Sequence, residues 1–411
     1  MSSLCDRPTF AVGAENRLSL GGQAVAGTRI GIVGLGQRGL QHLRTLWSID
    51  GAEIVALCDP FAGNLEETKI RSFVADDFSL DGVDTFARFS ELMESPRMDA
   101  LYFCIPPSRH DGEIVEAARA GLNIFAEKPV SLFQDEALAM DAAIREAGVI
   151  ATVGFQQRHD LRNIAVEEFL RDKHLVMATW VGNGALESHS VKHTHTEVLG
   201  GPSSRVWAAN FAWSGSTVVE AGIHSLDLVR FWAGDVAWTR ADYIPRQADD
   251  VEDGGDNPDG YSVTFGMESG MIFNLLLTRL RKTFYGDGYQ DIAWNRGHLK
   301  FETEGPVAYY YDGPYPPESS PSADSLRHPL PLPEGEDAMT AISRAFVRAV
   351  AEEDDSHLLN TFSSSMNSLA AVLAANASDQ LGGEKVVLDD FLKSERYARF
   401  RSKGEAATAP N

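Results

Sequence analysis

A glycine-rich turn between an apolar run and a helical pattern constrains this chain most strongly. Residues 30–33 predict a strand, and Gly34, Gly36 and Gly39 follow it in a G-x-G-x-x-G pattern. Residues 40–47 then place apolar side chains at helical spacing. In such a unit the first glycine permits the tight turn, the second lets a pyrophosphate approach the backbone, and the third allows close helix packing. The pattern predicts a dinucleotide site at the helix N-terminus.

The residue that ends the second apolar run indicates which dinucleotide binds. Residues 54–58 lead into Asp59, where an acidic side chain is expected to accept hydrogen bonds from the adenosine ribose. Its charge repels a 2′-phosphate, so Asp59 favours NAD over NADP. Gln37 and Arg38 lie in the first helical turn beside the expected phosphates. Arg38 is either a phosphate contact or a solvated helix residue.

The first part of the chain alternates short apolar runs with helical patterns. Further runs at 100–105 and 123–126 are separated by a helical pattern at 114–120, and another helical pattern follows at 135–147. This alternation predicts a doubly wound parallel sheet of the Rossmann type. We place this NAD-binding domain at residues 28–150, after an N-terminal extension at 1–27.

Strand-like patterns dominate the next part of the chain, with few helices between them. They predict a second α/β domain with a large open, mainly antiparallel sheet. We place this substrate-binding and oligomerisation domain at residues 151–395, followed by a tail at 396–411. The segments 249–260 and 312–336, rich in Gly or in Pro and Ser, are expected to be surface loops.

Charge and cysteine content exclude several classes of protein. The 411 residues include 36 Lys and Arg against 59 Asp and Glu, a formal net charge of -23, which argues against nucleic acid or an anionic membrane as a partner. Three cysteines without C-x-x-C spacing form neither a disulfide framework nor a thiolate metal site. No apolar run approaches the roughly 18 residues of a membrane span. We expect a cytoplasmic protein.

Two constellations carry residues suited to proton transfer. Lys128, in Glu127-Lys128-Pro129, follows the run at 123–126, at the sheet edge where such folds bind ligands. It is either a solvated lysine or a group that stabilises an alkoxide as hydride leaves. Glu220 and His224 are four residues apart, so on one helix face the carboxylate would orient the imidazole. Such a pair is also common as an ordinary polar contact.

These motifs together resemble the Gfo/Idh/MocA oxidoreductases, the family of glucose-fructose oxidoreductase and inositol dehydrogenase. The likeness covers about residues 28–395, and the order and spacing of the motifs make it specific. The motifs are the glycine turn with Asp59, Ile105-Pro106-Pro107 with His110, Glu127-Lys128-Pro129, and Gly222-Ile223-His224 with Asp227.

The resemblance implies an NAD(P)-dependent enzyme that oxidises a ring hydroxyl of a sugar, sugar acid or cyclitol. Lys128 matches the lysine of the family's E-K-P motif, and His224 matches its proposed acid/base. Glu220 stands where many members have Asp, which lengthens the reach of the carboxylate. Pro106, His110, Glu127 and also Lys128 are implied at the cofactor. Arg158 and Asp227 are implied near the substrate, and an open sheet is implied to form a homodimer or homotetramer.

A polar cluster between the first predicted strand of the second domain and the helix that carries His224 suggests substrate recognition. Lys192, His193 and His195 are expected to bind substrate hydroxyls or an anionic sugar. With His189 the histidines also allow a zinc site, but their spacing has no standard ligand geometry, so we expect no metal.

Two other functions remain open at this point. One is an NAD-dependent glycoside hydrolase, which oxidises its sugar transiently, eliminates the aglycone and regenerates its cofactor. The other is a non-catalytic sensor of sugar and dinucleotide, against which the presence of Lys128 and His224 argues.

Overall fold

The first part of the chain folds around a six-stranded parallel sheet, as the alternating pattern predicts. The computed structural model describes residues 27–95, 97–185, 207–247, 255–280 and 286–403. The strands are β1 Thr28–Val33, β2 Ala52–Cys58, β3 Asp84–Phe86, β4 Ala100–Phe103, β5 Asn123–Ala126 and β6 Ala151–Val153. Their order in the sheet is β3-β2-β1-β4-β5-β6. After β3 the chain crosses back over the sheet and adds β4 on the other side of β1.

Helices cover both faces of this sheet, and the central strands are buried apolar runs for that reason. The helices are α1 Gln37–Trp47, α2 Glu67–Phe73, α3 Phe89–Met93, α4 Glu113–Arg119 and α5 Gln134–Ala147. The sixth strand, β6, lies just beyond the boundary at residue 150 that the sequence suggests, and it pairs with β5.

The second part of the chain forms a nine-stranded mixed sheet in the order β14-β13-β12-β11-β7-β10-β9-β8-β15. Only the pair β7–β10 is parallel among the described pairings, so the sheet is mainly antiparallel, as predicted. Its strands are β7 Leu175–Ala185, β8 Val236–Ile244, β9 Gly260–Met267, β10 Ile272–Leu280, β11 Asp287–Trp294, β12 Gly297–Glu302, β13 Gly305–Tyr310, β14 Arg327–Pro329 and β15 Val386–Val387. The edge strand β14 lies inside the segment 312–336 that the composition marks as a loop.

One face of the large sheet is packed against helices and the other is open. The long helix α10, Phe362–Gln380, runs along β8, and its alanines fill the space between the helix and the sheet. On the open face Leu276, Val181 and Tyr289 lie side by side on β10, β7 and β11. The helices of this part are α6 Leu161–Leu170, α7 Phe211–Ser214, α8 Ile223–Ala233, α9 Ala338–Glu352, α10 Phe362–Gln380, α11 Leu388–Lys393 and α12 Ala398–Arg401.

Helix α9 packs on the first sheet, although its sequence lies in the second part of the chain. Its Phe346 makes edge contacts with Tyr102 on β4 and Phe125 on β5, at centroid distances of 5.5 and 5.7 Å. Ile342 and Phe346 belong to the same apolar core as the strands β1 and β4. Within the described ranges, no helix has the length and apolarity needed to cross a membrane.

Candidate active site

The glycine turn after β1 has the geometry that a dinucleotide requires. Gly34 has φ +89°, and a Cβ there would lie 2.6 Å from the Cys104 carbonyl oxygen. A Cβ on Gly39 would lie 1.9 Å from the Gly34 oxygen, so α1 can approach the turn only without that side chain. A Cβ on Gly36 would meet no atom within 4 Å. The chain itself therefore needs Gly34 and Gly39, whereas Gly36 borders open space.

That open space lies at the N-terminus of α1, where unpaired amides favour an anion. Gly36 is the N-cap residue and no side chain caps the helix. Gln37 begins the helix, and Arg38 lies one residue further with its side chain partly exposed. These residues fit a pyrophosphate at the position that the sequence predicts.

Asp59 lies beside the same turn and accepts more hydrogen bonds from within the protein than the sequence suggests. It is buried, and its Oδ2 accepts a hydrogen bond from the Leu35 amide at 2.7 Å. Its Oδ1 accepts from the amide of Phe61 at 2.9 Å and from Asn64 Nδ2 at 3.0 Å. Asp59 thus fixes the glycine turn to the end of β2. Three of about four acceptor positions on its carboxylate are occupied, which leaves one for a ribose hydroxyl.

Glu127 follows the last residue of β5 and is a buried carboxylate with several hydrogen-bond donors around it. His42 Nε2 donates to its Oε1 at 2.7 Å, and Arg38 Nε lies 3.5 Å from the same oxygen. The Lys128 amide donates to Oε2 at 3.2 Å. Burial alone would raise the pKa of Glu127, but the hydrogen bond from His42 and the charges of Arg38, His42 and Lys128 lower that pKa to about 2. Glu127 is therefore an anion that is held in place inside the protein.

Lys128 reaches from the first sheet to the second part of the chain. Its Nζ lies 2.7 Å from the main-chain oxygen of Glu220 and 3.1 Å from Glu220 Oε1. Burial would raise the pKa of Glu220, but the charge and hydrogen bond of Lys128 outweigh it, with smaller effects from Arg279 and Arg38, so that pKa is lowered. Lys128 and Glu220 form a nearly buried ion pair.

His224 lies four residues after Glu220, in the first turn of α8. It does not pair with Glu220 as that spacing suggests. Residues Val218–Gly222 form a π-helical segment ahead of α8, and the wider π turn removes the i, i+4 alignment of an α-helix. Nδ1 of His224 has no partner, and its ring lies edge-on to Phe155 at 6.4 Å. Burial and the charge of Lys128 hold the pKa of His224 well below its usual value. The imidazole is therefore neutral at neutral pH.

Arg158 and Asp227 bind each other instead of facing an open pocket. Arg158 Nε and Nη2 lie 2.7 and 2.8 Å from the two carboxylate oxygens of Asp227, and both side chains are buried. Asp227 also accepts from Ser368 Oγ at 2.8 Å and lies 3.3 Å from Arg230 Nη1. The two side chains therefore belong to a buried network that joins α8 to Ser368, and their place near the substrate, which the resemblance implies, stays a prediction.

Pro106 and His110, which the resemblance implies at the cofactor, lie in the segment after β4. Pro106 precedes a short 3-10 turn at Pro107–Arg109, and His110 is buried with Nδ1 2.7 Å from Glu113 Oε1. Lys192, His193 and His195, and His189 with them, lie outside the described residues, so their substrate and metal roles stay untested. Elsewhere in the described ranges, no three metal-ligating side chains converge.

Two residues of the site escape sequence reasoning. His42 lies three residues after Gly39 on the buried side of α1, where it reads as an ordinary core residue. Arg279, near the end of β10, acts electrostatically on Glu220 from a strand almost 60 residues further along the chain. Only the fold brings these side chains to the sheet edge.

Residues 28–155 match the model of an oxidoreductase family with an NAD-binding Rossmann fold. A scyllo-inositol 2-dehydrogenase (NAD+) of Bacillus subtilis is 35% identical over 133 residues, which is 32% of this chain and 36% of that protein. A myo-inositol 2-dehydrogenase of Thermotoga maritima is 28% identical over 207 residues, 50% of this chain and 55% of that protein. The alignments thus span between about a third and about half of these relatives.

Solved structures share the whole fold. An oxidoreductase from Agrobacterium radiobacter, in complex with NAD+, L-tartaric acid and magnesium, superposes with a TM-score of 0.65 at 15% identity, covering 89% of this chain and 99% of that one. The WlbA dehydrogenase from Bordetella pertussis, in complex with NADH and UDP-GlcNAcA, gives a TM-score of 0.67 at 17% identity, covering 88% and 98%. At such low identity the likeness concerns the fold alone.

Proposed function

Since residues 28–155 match the NAD-binding Rossmann model of the Gfo/Idh/MocA oxidoreductases, we propose that the chain is a member of this family and that it oxidises a ring hydroxyl of a sugar, sugar acid or cyclitol. The observation that carries the proposal is the contact of Lys128 Nζ with Glu220 just beyond the carboxyl end of β5, where the charge of Lys128 also acts on the imidazole of His224. The inositol dehydrogenases among the relatives support a polyol substrate.

The proton chemistry is assigned to this chain's own residues. His224 takes the proton of the substrate hydroxyl, because its neutral imidazole can accept one at neutral pH. Lys128 donates a hydrogen bond to the same oxygen and stabilises its developing negative charge. Glu220 holds the ammonium group of Lys128 in place and balances its charge. NAD, when bound, accepts the hydride from the carbinol carbon.

The dinucleotide is assigned to the glycine turn. Gly36, Gln37 and Arg38 would hold the pyrophosphate, and Asp59 would offer its remaining acceptor position to the ribose. Pro106, His110 and Glu127 line the same edge of the sheet. Lys192, His193 and His195 remain assigned to the substrate from the sequence.

We also propose a cytoplasmic homodimer or homotetramer. The open face of the second sheet supports the oligomer. Leu276 on β10 and Tyr289 on β11 are 40% and 55% exposed, and they lie in one row on either side of β7. Apolar side chains in such a row are commonly covered by a second subunit.

The test incubates the purified protein with NAD and a panel of sugars, inositols, sugar acids and nitrophenyl glycosides, and follows NADH absorbance and nitrophenol release together. We expect NADH to accumulate with a free polyol. Lys128→Met and His224→Asn should each lower kcat at least a hundredfold, whereas Lys300→Met, on an exposed position of β12, should not. Nitrophenol release without net NADH would instead identify a hydrolase. Silence in both signals, with sugar binding by calorimetry, would identify a sensor.

A further inference from the structure

His42 is a buried polar residue that the mechanism above does not use. It lies on α1, 0% exposed, with its ring against Phe125 and Tyr102 at centroid distances of 4.9 and 5.4 Å. Nε2 contacts Glu127 Oε1 at 2.7 Å, and Nδ1 has no partner. Because an ionised carboxylate can only accept, Nε2 carries the proton and donates it to Glu127. A core histidine that served packing alone would not need to be aimed at the residue beside Lys128.

Glu127 links this histidine to the reacting edge. Its second oxygen accepts from the Lys128 amide at 3.2 Å, and the Lys128 side chain then reaches Glu220. Gly154 leaves room for the carboxylate, since a Cβ there would lie 3.1 Å from Glu127 Oε1. Glu127 is thus confined between His42, the Lys128 amide and Gly154.

We propose that His42 is a positioning residue, which fixes Glu127 as an oriented anion and through it places Lys128 and sets the charge around His224. The inference rests on the proposed function, because it gives His42 a role in that reaction. Without the donor, Glu127 would keep its burial but lose the group that most favours its charged form. Its protonation would remove a negative charge beside Lys128 and weaken the hydrogen bond that the Lys128 amide donates to it.

The titratable or charged groups that act on Glu127 come from four parts of the fold. They are Arg38 and His42 on α1, Lys128 after β5, His224 on α8 and Cys104 after β4.

Two variants separate positioning from packing. His42→Gln keeps an amide donor near the place of Nε2, whereas His42→Leu has a similar volume and no donor. We expect kcat to fall about tenfold or more in His42→Leu, with little change in KM for NAD, and the acid limb of the kcat profile to move to higher pH. His42→Gln should restore both within about threefold. Equal behaviour of the two variants, or an unchanged profile in His42→Leu, would overturn the proposal.

A second measurement needs no substrate. In protein labelled with carboxyl-13C glutamate, the Glu127 resonance is identified by its loss in Glu127→Gln and then titrated. We expect its midpoint to rise in His42→Leu and to stay low in His42→Gln, while an unchanged midpoint would refute the link. If His42→Leu does not fold, His42→Asn, whose shorter side chain does not reach Glu127, takes its place. A wild type that turns over no polyol would reject the proposed function, and the positioning role in it, while the titration still decides whether His42 holds Glu127.

Discussion

Lys128 and Glu220 meet across the two sheets, with Nζ 2.7 Å from the main-chain oxygen and 3.1 Å from the carboxylate of Glu220. One residue follows the last buried stretch of β5, and the other lies in the π-helical segment before α8. The pair therefore joins the dinucleotide-binding domain to the second domain at the point where we place the substrate.

Removing the charge of Glu220 should impair turnover and leave dinucleotide binding intact. Glu220→Gln keeps the main-chain contact with Lys128 but loses the ionic one, so we expect kcat to fall about tenfold. Glu220→Asp keeps the charge and should fall less. Steady-state kinetics with the best polyol from the panel measures both, with Glu268→Gln, an exposed site, as the control. Full activity in Glu220→Gln would remove the carboxylate from the reaction.

Replacement by alanine should affect different properties at two glycines of the motif. Gly36→Ala should weaken NAD binding, whereas Gly39→Ala should lower the stability of the fold. Gly36→Ala adds a methyl group to open space at φ -67°, so we expect unchanged stability and at least tenfold weaker NAD binding. Gly39→Ala places its Cβ 1.9 Å from the Gly34 oxygen, so we expect a loss of about 3 kcal/mol or more in unfolding free energy. Urea unfolding and calorimetric NAD titration measure the two effects. Unaltered NAD affinity in Gly36→Ala would move the pyrophosphate elsewhere.

The buried pair of Arg158 and Asp227 should contribute to stability. Arg158→Met leaves the anion of Asp227, which is 1% exposed, with only Arg230 and Ser368, so we expect about 3 kcal/mol less unfolding free energy. Arg158→Met with Asp227→Asn removes that buried negative charge and should recover part of that loss. Urea denaturation of the single and double variants gives the coupling. Unchanged stability together with a raised KM for the polyol would return Arg158 to the substrate site.

His159 should make the protein sensitive to acid. Burial, and then the charge of Arg158, lowers its pKa from 6.5 to about 4. The unfolded chain therefore binds this proton more readily than the folded one, and stability falls as the pH drops through 6.5 toward 4. This one group should cost about 3 kcal/mol between pH 8 and pH 4. The unfolding free energy of His159→Gln should decline less over that interval, whereas His174→Gln, at an exposed site, should follow the wild type. Parallel curves for His159→Gln and wild type would contradict the assignment.

Local pattern was sufficient to predict the parallel sheet of the first domain, but not that helix α9 covers it from the far end of the chain. The strand at residues 30–33, the glycine turn and the helix after it depend on neighbouring residues, and the structure confirms them as β1 and α1. The parallel sheet and the mainly antiparallel second sheet also follow from the period of the apolar residues.

Contacts between distant residues were less accessible to sequence reasoning. A four-residue spacing suggests that Glu220 supports His224, but the spacing alone does not reveal the π turn that directs Glu220 to Lys128. Likewise, Arg158 and Asp227 both read as polar site residues, because the 69 positions between them conceal that each is the partner of the other. The role of His42 depends on a carboxylate 85 residues away.

Helix α9 places a limit on how this protein is made and divided. Ile342 and Phe346 supply part of the core under β1 and β4, so the dinucleotide-binding domain is not finished when the ribosome has synthesised its last strand. It must wait for about 190 further residues, which include eight of the nine strands of the large sheet, before its apolar surface is covered. A fragment ending near residue 155 would expose Tyr102 and Phe125, and we expect it to aggregate unless α9 is supplied as a separate peptide.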